Sequence, residues 1–184
     1  MKQFSIFERA LKFSRLEQNH TLAHVANLMR RDFEGRESFA CYTTSSSVEY
    51  ACLMIENALL LKSNRRGRVY AGFEKLSSLR PVMECYLRIA DLSDAVYLFG
   101  IDDWQPRRHP NIRLVSLAPD FCLAHEFFLI TESPSMKTAF VARNEAPTLK
   151  GDQSLYVAFK TSDAKIVTNL ANAIEGVIDW TLAA

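Results

Sequence analysis

Apolar residues spaced by three and four alternate along this chain with short apolar runs bounded by polar turns, the pattern of helices interleaved with strands. From Ser5 to Arg15, Phe4, Phe7, Ala10 and Leu11 fall on one side of an amphipathic helix. A second helical stretch follows Asn19, with Leu22, Val25, Ala26, Leu28 and Met29 apolar and Arg30, Arg31 and Asp32 closing it before Gly35. The two would form a hairpin, an N-terminal helical arm over residues 1–36. Phe39 to Tyr42 is a short apolar segment. The hydroxyl run Thr43 to Ser47 then caps a helix extending to about Lys62, with Val48, Ala51, Cys52, Ile55, Ala58, Leu59 and Leu61 forming a broad apolar face.

After the polar turn Ser63 to Gly67, the residues Arg68 to Phe73 read as a strand. Ser77 or Ser78 would cap the next helix, with Pro81 in its first turn and Val82, Cys85, Tyr86, Ile89 and Ala90 as its buried stripe. Ala95 to Ile101 is again a strand, so a parallel βαβ unit is expected. Asp102 to Asn111, with Pro106 and Pro110, reads as a surface loop. Strands follow at Ile112 to Leu117, Glu126 to Thr131 and Lys137 to Arg143, the last two joined as a hairpin, and at Ser154 to Lys160. A final helix, capped by Thr161 or Ser162, carries Ile166, Val167, Leu170, Ala173, Ile174, Val177 and Ile178. The fold class is therefore α/β, with α+β as the variant. A mixed sheet of five or six strands is flanked on both faces by helices near residues 46–62, 78–90 and 162–179, and residues 37–184 form the main domain.

Composition narrows the function. The 184 residues carry 22 Lys and Arg against 21 Asp and Glu, a formal charge of +1, so no global field favours nucleic acid. The charged start lacks the apolar stretch of a signal peptide, and the apolar runs, such as Ala58 to Leu61, are far short of a membrane span, which points to a cytoplasmic protein without membrane insertion. Cys41, Cys52, Cys85 and Cys122 are scattered without a CxxC pair and read as free, mostly packed thiols.

Several strings carry a family resemblance: Ser46 to Glu56 with its serines and glutamates, Val69-Tyr-Ala-Gly-Phe73, the helix Arg80 to Ala90 leading into Ala95 to Phe99, and Ala124-His-Glu-Phe-Phe-Leu-Ile130 followed by Ser133-Pro134 and Ala139 to Arg143. Together they resemble the DICT sensory domain over about Thr43 to Trp180. Two positions depart from the family pattern: Phe127 stands where Trp is frequent, and Asn144 where a glutamate often follows. The resemblance implies a non-catalytic sensory or adaptor domain of bacterial, especially cyanobacterial, signal transduction. Because the family is usually joined to an output domain, it also implies a separate signalling partner such as a histidine kinase, response regulator or diguanylate cyclase.

Candidate chemistry is sparse. His20 and His24 share a helix face but have no third ligand at metal spacing, so no metal is expected. Glu49 and Glu56, two turns apart, read as polar-face residues, with a structural hydrogen bond as the alternative for a glutamate in the family-like string. Arg65, Arg66 and Arg68, and Arg107, Arg108 and His109, form two small basic clusters best read as solvated loop charge, without a phosphate loop beside them. No nucleophile motif appears and no cofactor is expected. The residues favoured for ligand or partner contact are Phe73, Arg80, Asp102, Asp103, Trp104, Arg107 and Arg108, because aromatic and arginine side chains near strand ends are preferred at interfaces. For Trp104 the alternative is a ring folded back on the sheet. A small-molecule or nucleotide-binding protein, or a redox enzyme with a spatially assembled site, is the competing function. Apolar helices at both termini leave room for a homodimer.

Overall fold

The computed structural model describes residues 2–14, 29–61, 66–145 and 154–183. Its elements in chain order begin with helix α1 (Ile6–Ser14), helix α2 (Arg30–Gly35), strand β1 (Ser38–Thr44) and helix α3 (Ser45–Leu61). Strand β2 (Arg68–Lys75) leads through a 3₁₀ helix (Leu76–Val82) into helix α4 (Met83–Leu92). Then come strands β3 (Ala95–Ile101) and β4 (Ile112–Ser116), a 3₁₀ turn (Cys122–His125), strands β5 (Glu126–Glu132), β6 (Lys137–Asn144) and β7 (Leu155–Thr161), and helix α5 (Ala164–Ala183).

The sheet is mixed and has seven strands in the order β1-β7-β6-β5-β2-β3-β4. β2, β3 and β4 run parallel, as the βαβ reading requires, and the remaining neighbours are antiparallel. The α/β class with helices on both faces is therefore observed. The strand beyond the expected six is β1, whose Phe39 to Tyr42 pairs with Val157 to Lys160 at the sheet edge. Thr43 and Thr44 finish this strand, and α3 starts at Ser45 without an intervening loop.

Alternation along the strands divides the core in two. Tyr70, Phe99, Phe128, Ile130, Val141 and Phe159 meet α1 and α5 on one face. Val69, Ala71, Leu98, Leu129, Phe140 and Ala158 meet α3 and α4 on the other. Because both faces are covered, β7 is buried from Tyr156 to Thr161, with no solvent side. α1 belongs to this packing: Ile6, Phe7 and Ala10 are fully buried. Apart from α2, the expected second helix of the N-terminal hairpin, with His20 and His24, lies outside the described residues, as does Arg65.

Two helix starts differ from expectation. Ser77 and Ser78 fall inside the 3₁₀ helix, and Pro81 in its last turn, so α4 begins only at Met83. For α5 the cap is Asp163, whose Oδ1 accepts from the backbone N–H groups of Lys165 (2.8 Å) and Ile166 (3.1 Å). Among the described residues no helix is long and apolar enough to cross a membrane.

Candidate functional site

The antiparallel and parallel pairings bring the end of β2, the start of β5, the end of β6 and the start of β7 to one end of the sheet. The first residues of α1 and the 3₁₀ turn Cys122–His125 close over that end. Between them lies a cleft of about 530 Å³, lined by Glu8, Glu74, Glu126, Phe127, Arg143 and Tyr156 among others. A volume of this size falls in the range of about 300–1,000 Å³ usual for small-molecule sites.

Its floor on the α1 face is Glu126, only 2% exposed. The carboxylate accepts from the Ser5 hydroxyl and from the backbone N–H groups of Ile6 (2.8 Å) and Phe7 (3.3 Å), so it holds the first turn of α1. Burial pushes its pKa up, against the hydrogen bonds from Ser5, Phe7 and Ile6 and the charge of Arg143, which pull it down. Arg143 stands directly opposite Glu126 in the β5–β6 ladder. Its guanidinium donates to Glu8 (2.6 Å) and Glu145 (3.0 Å) and lies 4.8 Å from the centre of the Phe7 ring. Two residues lining the cleft therefore also fasten α1 to the sheet.

On the opposite face the wall is aromatic. Phe127 and Tyr156 meet edge to face, 5.9 Å between ring centres. Burial raises the Tyr156 pKa; Ser45 and Asn144, which hydrogen-bond its hydroxyl, oppose this, and the nearby Glu74 and Glu49 charges add to it. Cys122 and His125, both exposed, complete the rim, with His125 donating from Nε2 to the Pro119 carbonyl (2.9 Å).

The residues favoured from sequence lie elsewhere. β3 and β4 are parallel, so 102–111 must travel the length of the sheet. It does so without a helix, as a strap along α4 on which Arg107 pairs with Glu84 (2.8 Å) and His109 with Asp91 (3.1 Å). Asp103 accepts from the backbone N–H (2.8 Å) and hydroxyl (2.6 Å) of Ser77, which holds its carboxyl below the usual range. The Arg80 guanidinium stacks 5.4 Å above Trp104, whose ring packs partly into the core on the α3–α4 face. Phe73 is half-buried against Tyr86, and Asp102 and Arg108 are exposed. The strap thus joins Arg80, Asp103, Trp104 and Arg107, away from the cleft. In the other basic cluster, Arg68 is held by Glu132 (3.1 Å) and Glu175.

Glu56 departs from the polar-face expectation. Glu49 is exposed as expected, but Glu56 is 3% exposed and faces the core between α3 and α4, where Tyr86 and Cys85 hydrogen-bond it. The structural hydrogen bond is the arrangement found. Burial raises the Glu56 pKa and pushes the Cys52 and Cys85 thiols to about 12 and about 11. Among the described residues no three His, Cys, Asp or Glu side chains come together as a metal site.

The family model for DICT, described as "Sensory domain in DIguanylate Cyclases and Two-component system", matches residues 33–145. The chain belongs to the DICT family. No curated protein sequence matches the chain. Two solved structures are similar in outline. One is the polyphosphate kinase of Porphyromonas gingivalis, at 12% identity and TM-score 0.49, covering 88% of this chain and 28% of that one. The other is NucT of Helicobacter pylori, at 13% identity and TM-score 0.42, covering 78% of this chain and 97% of that one. The chain thus spans about a quarter of the kinase's length, and neither likeness bears on the site. Within this DICT domain, Glu74, Glu126, Phe127, Arg143 and Asn144 lie inside the matched region, whereas Ser5, Glu8 and Tyr156 complete the cleft from outside it.

The cleft is not legible in the sequence because its residues come from five separate segments. One signal was present: the two departures from the family pattern, Phe127 and Asn144, both line it.

Proposed function

We propose that this DICT domain is a non-catalytic sensory adaptor in bacterial signal transduction, taking its input at the cleft and delivering its output through protein contact. The observation that supports this reading is the convergence of Glu126, Phe127, Arg143 and Asn144, all from the family-like hairpin, on one cleft of ligand size. The latch of α1 supplies a route for output, since Glu126 and Arg143 touch both the cleft and α1. The partner is a histidine kinase, response regulator or diguanylate cyclase in the cytoplasm, docking on the strap surface of Phe73, Arg80, Asp102, Asp103, Trp104, Arg107 and Arg108. Exposed arginines beside a half-buried tryptophan suit such a contact.

The test is co-purification of the tagged chain from its host at mild salt, compared with the R80E/R107E/R108E variant. A kinase, response regulator or cyclase recovered with the native chain and lost with the variant supports the adaptor. A chain recovered alone, or a partner retained equally by the variant, overturns the reading.

A further inference from the structure

The charges around the cleft are unequal. Glu8, Glu74 and Glu126 line it against the single guanidinium of Arg143, and Glu49 lies close by at the start of α3. Arg143 is already held by Glu8 and Glu145, so an anion entering the cleft would have to displace a carboxylate and then face the others. Glu74 is exposed and makes no ion pair among the described residues. Beside it stand the Phe127 and Tyr156 rings, the faces of which attract positive charge.

We propose that the cleft binds an organic cation, an amine or guanidinium on a small apolar body, with its charge at Glu74 and its body against Phe127 and Tyr156. This rests on the reading of the cleft as the input site and names the ligand class for it. A bare metal ion is a poorer match, because the described carboxyl, thiol and imidazole groups form no ligand trio. A purely apolar ligand would strip water from Glu74 and offer nothing in return. A cation exchanges that water for an ion pair and adds an aromatic contact, which gains from the apolar wall of the cleft.

The experiment titrates the full chain, labelled with nitrogen-15, with phenethylamine, with 3-phenylpropanoate as its anionic counterpart, and with 2-phenylethanol as the neutral one. Backbone amide shifts are the readout. The expected result is saturable shifts at Glu74, Phe127, Asn144 and Tyr156 for the amine, with affinity about tenfold or more above that for the carboxylate. Glu74→Gln should weaken the amine about fivefold, while Glu84→Gln, on the strap side, should leave it unchanged. Dispersed amide spectra of both variants verify that they are folded. Equal or tighter binding of 3-phenylpropanoate or 2-phenylethanol overturns the cation class but leaves the cleft a ligand site. If no probe shifts those amides, both the class and the cleft's role as input fail, whereas partner recovery in the co-purification is read independently.

Discussion

Two glutamates buried on opposite faces of the sheet show how local partners decide what a carboxyl contributes. Both have pKa values raised by burial, so each binds its proton more tightly in the folded chain than in the unfolded one. Any stability this brings is fully present below the unfolded glutamate pKa, about 4.3, and is lost as pH rises through the folded value. Glu56 has only the Tyr86 hydroxyl and the Cys85 thiol to balance its burial. Glu56→Gln is therefore expected to be as stable as the native chain, or more so, near pH 7.5, with any advantage fading toward pH 4. Urea unfolding across that pH range measures it, and a loss above about 1 kcal/mol at every pH would refute it. Glu126 differs because it anchors α1 through three donors. Glu126→Ala should cost about 1–3 kcal/mol and speed amide exchange at Ile6 and Phe7. The cysteines separate on the same physics. Cys122 should react first with iodoacetamide at neutral pH, while Cys52 and Cys85, with pKa values pushed far up, should label only on unfolding.

At the scale of elements, the apolar periodicity of α3, α4 and α5 and the apolar runs of six strands are legible because each is written within one continuous stretch of at most 20 residues. Starts and stops were less legible. A serine can cap a helix only if its neighbours leave the backbone free to do so, and Ser77 is instead held by Asp103 from 26 residues away. The hydroxyl run before α3 carries only a cap signal in the sequence, because strand and helix abut there with no turn between them. Asp163→Ala should remove the α5 cap at a cost of about 0.5–2 kcal/mol, read as a shift in the urea midpoint with an unchanged slope. In β2, a Cβ on Gly72 would lie 2.0 Å from the Phe128 ring that sits opposite it. Gly72→Ala should therefore destabilise by about 1–3 kcal/mol, and pairing it with Phe128→Leu should recover part of the loss in a double-mutant cycle.

For the whole molecule, the DICT match ends at residue 145, yet the core does not. α5 supplies Val167, Leu170, Ile174 and Val177 to the same cluster that buries Ile6 and Phe7 of α1. Deleting residues 1–14 is expected to remove on the order of 3–5 kcal/mol of burial and lower the melting temperature by roughly 10 °C. A truncated chain melting within a few degrees of the intact one would show that α1 is dispensable to the fold. By itself the sequence determined the α/β class, the order of the main helices and of six strands, and the membership of a sensory family, because periodicity and family strings are local properties of the chain. Only the tertiary structure decided that Ser38–Thr44 closes the sheet against β7, that Glu56 turns inward, and that Glu74, Glu126, Arg143 and Tyr156 share one cleft with the start of α1. Those facts depend on register between segments up to more than 100 residues apart, and a side chain's neighbours across a ladder leave no mark on the residues beside it in the chain.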